Sequence, residues 1–176
     1  KGGVKYWDGQ FDDARLALAL ARTAASLGAL VVNYCPARSL IHEAGKVAGF
    51  VCEDADSGQQ FTVRARTVVN ATGVWVDALR QMDGEAIGRP VKPIVAPSQG
   101  VHIVVDREFL PSDHALMVPK TADGRVLFAV PWLGKLILGT TDSPRQDIVR
   151  EPQPFREEVR FILDESARYL TRAPKV

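Results

Sequence analysis

Thr67-Val68-Val69-Asn70-Ala71-Thr72-Gly73 is the stretch on which the fold turns. Five residues of strand-forming composition, 67–71, run into a turn that holds a glycine. A helical pattern then starts near Trp75 and continues to Met82. Strand, glycine turn and helix in that order is the unit of a doubly wound nucleotide-binding sheet. A glycine at such a strand end lets a backbone come close to a phosphate or an adenosine, which a side chain would block. The same four residues, Asn70, Ala71, Thr72 and Gly73, serve equally as a plain tight turn between strand and helix. The full G-x-G-x-x-G fingerprint occurs nowhere in the chain.

Upstream of this unit, a helix is expected over 12–27. Asp12 and Asp13 suit its amino end, and Gly28 is placed to end it. Its body, Ala14 to Ala21, is apolar almost all round, so it is expected to be buried against strands. A short apolar strand is expected at 30–34. Segments 39–42, 47–54 and 60–64 alternate in polarity, and Glu43-Ala44-Gly45-Lys46 and Asp56-Ser57-Gly58-Gln59 lie between them as turns. They predict an antiparallel meander.

Downstream, 84–97 is rich in Gly and Pro and reads as a crossover to a second subdomain. Four antiparallel strands are expected there, over 100–106, 114–118, 125–131 and 135–141, with Asp123-Gly124 and Leu133-Gly134 as turn residues. Past Pro152-Gln153-Pro154, the residues Phe155, Val159, Ile162, Leu163 and Leu170 fall near one helical stripe, which should lie on the sheet.

Totals narrow the function. The chain has 176 residues, with 22 Lys and Arg against 21 Asp and Glu and a formal charge of +1, so bulk charge does not favour nucleic acid as a partner. Its two cysteines, Cys35 and Cys52, form no C-x-x-C pair, and no His has metal-ligand spacing, so no metal site is expected. Isolated cysteines read as reduced core thiols of an intracellular protein. No apolar run reaches the ~20 residues of a membrane helix. No signal peptide shows at the start, and neither end reads as a natural terminus, so an interior piece of a longer chain is expected.

Three further motifs carry chemistry. On a strand, Val101, Ile103 and Val105 point one way, and His102 and Val104 the other. A histidine between valines reads first as a core residue, and otherwise as a general base or donor facing a pocket. Gly139-Thr140-Thr141-Asp142 ends an apolar strand; its hydroxyls can bind substrate oxygens or simply close a turn. Tyr6-Trp7-Asp8-Gly9-Gln10 suits a pocket lining and a hairpin-to-helix junction alike. Arg89, Lys92, Lys120 and Arg125 could meet a phosphate, although most such charges are solvated.

In this order, Tyr6-Trp7-Asp8-Gly9-Gln10 with Asp12-Asp13-Ala14-Arg15-Leu16, Gly28-Ala29, Val69 to Gly73, Gly100 to Val104, Pro131-Trp132 and Gly139 to Asp142 resemble the FAD-dependent, quinone-linked glycerol-3-phosphate dehydrogenases of bacteria and mitochondria. The Asp-Gly-Gln-x-Asp-Asp-Ala-Arg and Gly-Thr-Thr-Asp stretches set that family apart from the wider glycine and sarcosine oxidase relatives. The resemblance implies an α/β plus α+β fold, a partial Rossmann-like FAD-binding domain with an antiparallel-sheet substrate cap. Residues 11–82 would be the middle of the FAD domain, 84–172 the cap, and 1–10 their junction. It implies FAD as cofactor in the intact enzyme, and not in this piece alone. It also implies oxidation of glycerol 3-phosphate to dihydroxyacetone phosphate, with electrons passed to quinone at a membrane surface. His102 would be the catalytic base or orienting donor and Thr140 would contact substrate, while Asn70, Ala71, Thr72 and Gly73 would approach FAD. The location implied is the cytoplasmic face of a bacterial inner membrane or the mitochondrial inner membrane. The family's amino-terminal G-x-G-x-x-G and its later Ser-Gly-x-Arg-Pro segment are absent, so the piece alone is expected to be inactive. An altered sheet edge, a homodimer contact or disorder is expected around 11–82. Two rivals remain: another FAD-dependent amine or 2-hydroxy acid oxidase, and a non-catalytic binding module.

Overall fold

Residues 2–174 are described by a computed structural model. The chain divides into two units, Lys1–Val69 with Met82–Arg89, and Asn70–Gln81 with Pro90–Val176.

The first unit begins with α1 (Asp13–Ser26). Asp12 caps it, its carboxylate accepting from Arg15 N–H at 3.0 Å. At the other end Gly28, at φ +91°, lets the chain reverse. Ala29 N–H then reaches Ala24 O and Gly28 N–H reaches Ala25 O, both at 3.0 Å, the paired bonds of a Schellman cap. Both ends lie where the sequence places them. The expected burial is not found: no residue of α1 is buried, and Leu18 is 60% exposed. Nor do 30–34 and 67–71 form strands, and Leu30 is 92% exposed. The three departures share one cause. Each strand of a parallel sheet needs neighbours to take up its N–H and C=O groups. Among the described residues no strand forms a ladder with 30–34 or 67–71, and Tyr34 O accepts a single backbone bond, from Ala55 N–H at 2.9 Å, so neither becomes a strand and the parallel sheet expected to cover α1 is not formed.

The meander forms as expected from β1 (Ala37–Glu43), β2 (Lys46–Glu53) and β3 (Gln60–Arg64), antiparallel in the order β1-β2-β3. Ala44 and Gly45 both have positive φ in the turn that closes Glu43 against Lys46. Asp54 N–H bonds Gln59 O at 2.9 Å in the next turn. Gly49 sits beside an irregularity in the β1–β2 register, at φ +154°. A Cβ there would lie 2.1 Å from Val63 O. Gly49→Ala is therefore expected to push β3 away and cost about 1–3 kcal/mol, read as a lower urea midpoint. His42 Nε2 lies 2.8 Å from Asp83 Oδ1, tying β1 to the 82–89 segment of the same unit. Cys52 is buried, Cys35 is half-buried, and both are free thiols.

The second unit opens on a 3-10 turn, Gly73–Trp75, that leads into α2 (Val76–Ala86), one residue later than the sequence suggests; the helix residues from Met82 on belong to the first unit. Its strands are β4 (Ser98–Gln99), β5 (His102–Asp106), β6 (Leu116–Val118), β7 (Leu127–Trp132), β8 (Lys135–Gly139) and β9 (Ser143–Pro144). The four longer ones make an antiparallel sheet in the order β5-β8-β7-β6, and β4 pairs with β9 beside it. Leu133 and Gly134, both at positive φ, turn β7 into β8. One face of the sheet carries Val118, Leu127, Ala129, Leu136 and Leu138, packed with Ile162 and Leu170 from the carboxy-terminal segment. That segment starts with α3 (Arg156–Ser166), the helix expected from the Phe155 to Leu170 stripe. Its buried positions are Glu158, Ile162, Glu165 and Ser166, so the helix is rotated from the apolar stripe, and Phe155 is exposed. The result is mixed α/β with antiparallel sheets, as the sequence implies.

Candidate functional site

The turn at 70–73 holds itself together. Asn70 Nδ2 donates to Val76 O at 3.0 Å, and Asn70 Oδ1 accepts from Thr72 Oγ1 at 2.8 Å. The Asn70 side chain thus shapes the turn and fixes the start of α2. Gly73 has φ +58°, and nothing lies within 4 Å of where its Cβ would be. The outward offer of this segment is open backbone at Ala71, Thr72 and Gly73, all exposed. Such a turn fits a close-lying cofactor edge. Asp77, in the first turn of α2, secures the crossover that follows. Its Oδ2 accepts from Ile94 and Val95 N–H, each at 2.9 Å, and Oδ1 accepts from Arg80. The Val95 amide foremost, with Arg80 and Ile94 beside it, holds the Asp77 carboxyl below its ordinary range against the opposing effect of burial.

Val74 and Trp75 line a cleft of about 290 Å³ together with Ser98, Gly100, Arg145 and Arg150. Gly100 leads from this cleft to the sheet. A Cβ on Gly100 would lie 2.8 Å from Thr140 Oγ1, so the Thr140 side chain occupies the space the glycine leaves. Gly139 does the same for His102: its absent Cβ would meet the imidazole Cδ2 at 2.5 Å. His102 and Gly139 are direct partners across β5 and β8, and the imidazole takes the space over Gly139 on the neighbouring strand.

His102 faces away from the helix-packed core, as the alternation of Val101, Ile103 and Val105 predicts. It ends a row that crosses all four strands, through Gly139 and Phe128 to Met117. Val104, Ile137 and Val130 form the next row, and Val104 is 65% exposed. The imidazole has no hydrogen-bond or ion-pair partner among the described residues. The core-residue reading of His102 is thus overturned. Thr140 Oγ1 donates to Thr141 O at 2.9 Å, which leaves its lone pairs to accept from a ligand.

Beneath Thr140 lies a buried polar network that motif reading does not reach. Thr141 Oγ1 accepts from Val101 N–H at 3.0 Å and donates to Glu158 Oε1 at 3.2 Å. Ser143 Oγ donates to the same oxygen at 2.6 Å. Gln99 Nε2 and Phe155 N–H donate to Glu158 Oε2 at 2.8 and 2.9 Å. Burial acts to raise the Glu158 carboxyl, but the bonds from Ser143, Phe155, Gln99 and Thr141 outweigh it and hold it below the usual carboxylate range. Arg145 Nη1 donates to Gln99 Oε1 at 2.8 Å and its guanidinium stacks on Phe155 at 4.7 Å. Its ion pair with Asp147 raises the Arg145 pKa and lowers that of Asp147. The sequence signal for Glu158 was present in part, as an acid three residues into a helix. Among the described residues no cluster of acids, cysteines and histidines could hold a metal ion, and no helix is long and apolar enough to cross a membrane.

Similarity to known proteins runs along the same segments. The model of the FAD dependent oxidoreductase family matches residues 1–176. The mitochondrial glycerol-3-phosphate dehydrogenase of Mus musculus is 44% identical over 176 residues, 97% of this chain and 24% of that protein. The mitochondrial glycerol-3-phosphate dehydrogenase SDP6 of Arabidopsis thaliana is 43% identical over 172 residues, 97% of this chain and 27% of that protein. The crystal structure of a glycerol-3-phosphate dehydrogenase from Bacillus halodurans, complexed with FAD, superposes with a TM-score of 0.80 at 37% identity, over 90% of this chain and 31% of that one. The chain spans about a quarter of the length of the curated relatives it matches. Matched along its whole length by the family model, the chain belongs to the FAD-dependent oxidoreductases.

Proposed function

We propose that this chain is part of an enzyme that oxidises sn-glycerol 3-phosphate to dihydroxyacetone phosphate. Bound FAD would supply the hydride acceptor for carbon 2 of the substrate. The reading is supported above all by one juxtaposition. The His102 imidazole, without a partner among the described residues, lies over Gly139 on the open sheet face, and the next residue in the chain, Thr140, carries a hydroxyl with free lone pairs in the space that Gly100 leaves. His102 takes the proton of the substrate's 2-hydroxyl as general base, while the carbon-bound hydrogen leaves with its electron pair. Thr140 accepts a hydrogen bond from a substrate hydroxyl and holds it at the imidazole. Val104, Ile137 and Val130 keep water from the same face once the rest of the site closes over it. Ala71, Thr72 and Gly73 offer the backbone that lies along the cofactor, and Asn70 keeps that turn in shape.

On this reading 11–82 belongs to the FAD domain, 84–172 to the substrate cap and 1–10 to their junction. Electrons leave to quinone at a membrane surface, the mitochondrial inner membrane or the cytoplasmic face of a bacterial inner membrane; the mitochondrial relatives are consistent with the first. The 176-residue chain alone would not turn over, because the glycine-rich phosphate loop of such enzymes is not within it. The test uses the longer FAD-loaded protein without oxygen. Adding glycerol 3-phosphate should abolish the oxidised-flavin absorbance, with one dihydroxyacetone phosphate formed per flavin. Bleaching by glycine or sarcosine instead would move the assignment to an amine oxidase.

A further inference from the structure

We propose that Glu158 is a positioning residue for this reaction, acting through Thr141 on Thr140 and His102; the proposal rests on the functional reading above. Glu158 is 4% exposed and Thr141 is 2% exposed. A carboxylate so buried is costly unless its lone pairs are filled, and here four donors fill them. A helix cap alone would not need this arrangement. The cap uses Oε2, which accepts from Phe155 N–H, and Phe155 has no side-chain acceptor to return the bond. The other oxygen, Oε1, is turned to Thr141 and Ser143, which flank Asp142 just past the end of β8. Gln99 carries the network on to Arg145, whose positive charge lies one residue away from the carboxylate.

The consequence for the site follows bond by bond. By accepting the hydrogen bond of the Thr141 hydroxyl, Glu158 Oε1 leaves the Thr141 oxygen lone pairs to accept from Val101 N–H. Val101 immediately precedes His102, and Thr141 immediately follows Thr140. One hydroxyl therefore joins the two segments that carry the base and the substrate contact, and Glu158 sets which way that hydroxyl points. In Glu158→Gln the side chain keeps its length but one oxygen becomes an NH₂. Turned toward Thr141, the NH₂ competes with Val101 N–H for the same oxygen; turned the other way, it faces the donors Gln99 and Phe155. Either way the network loses an acceptor.

The experiment uses the FAD-loaded holoprotein and two readouts. Flavin reduction by glycerol 3-phosphate, counted per bound flavin, should fall in Glu158→Gln by about ten- to a hundredfold, the scale on which small misplacements of reacting groups act. Thr141→Val should lose as much, and the double variant should lose no more than either alone, because both break one connection. Amide hydrogen exchange at Val101 should speed at least about tenfold in Glu158→Gln, with the amides in the middle of β8 unchanged. If Glu158→Gln does not fold, Thr141→Val by itself carries both readouts. Additive losses, or an unchanged Val101 amide in an active parent, would overturn the role of Glu158 and leave the reaction standing. A parent that does not oxidise glycerol 3-phosphate would overturn the functional reading, and the positioning role with it.

Discussion

Replacing His102 with asparagine in the FAD-loaded protein is expected to slow flavin reduction by glycerol 3-phosphate about 10²–10⁴-fold, while leaving the melting temperature and flavin content as they were. The first half follows from chemistry. The 2-hydroxyl proton must leave as the carbon-bound hydrogen departs, and an amide has no basicity to receive it. The second half follows from geometry. His102 is exposed, points away from the Leu136 and Leu138 side of the sheet, and has no polar partner among the described residues to be orphaned. Its removal opens no cavity, and a change at such a position shifts stability by about 0.5 kcal/mol or less. Stopped-flow reduction and a thermal melt on the same preparation check both halves. Equal loss of rate and of melting temperature would mean that the imidazole is a structural filler over Gly139. Normal reduction in the variant would pass the role of base to another group.

Gly139 shows why the site is only partly legible from the residues themselves. Its neighbours Thr140 and Thr141 announce hydroxyl chemistry, but nothing in the order of residues says that the missing Cβ makes room for an imidazole on another strand. That is a cross-strand fact, fixed by the His102–Gly139 register. Where the signal is local, sequence and structure agree. The meander of β1, β2 and β3 follows from alternation and from Ala44-Gly45, and the caps of α1 follow from Asp12 and Gly28. Where a segment's state depends on a neighbour, apolar content misleads. Residues 30–34 and 67–71 have strand composition but no described ladder partner. The stripe on α3 misleads for a related reason: counting apolar positions ranks Phe155 above Glu158, while the helix buries the acid and exposes the ring. A buried carboxylate looks like a surface residue until its four donors, far apart in the chain from Gln99 to Phe155, are seen to meet.

Leu138→Ala is expected to destabilise the sheet by about 2–5 kcal/mol, the largest stability loss anticipated for a single core truncation here. Leu138 is 0% exposed and lies in β8, which has β5 on one side and β7 on the other. Its register partners are Ile103 and Ala129, and Ile162 of α3 belongs to the same cluster. Ala129 is too small to lean into the gap, and β8 is held by ladders on both edges, so the space left by three carbons cannot close by backbone movement. The cost then includes the cavity as well as the lost transfer of apolar surface from water. Val104→Ala is the matched control. Val104 is also a ladder residue of this sheet, but it is 65% exposed, and its truncation is expected to cost about 0.5 kcal/mol or less. Urea unfolding of both variants measures the difference between the two faces. The comparison bears on the chemistry as well, because Val104 and His102 share one face of the sheet and Leu138 lies on the other. Comparable losses from the two truncations would mean that both faces are packed, and His102 would then have no open surface on which to meet a substrate.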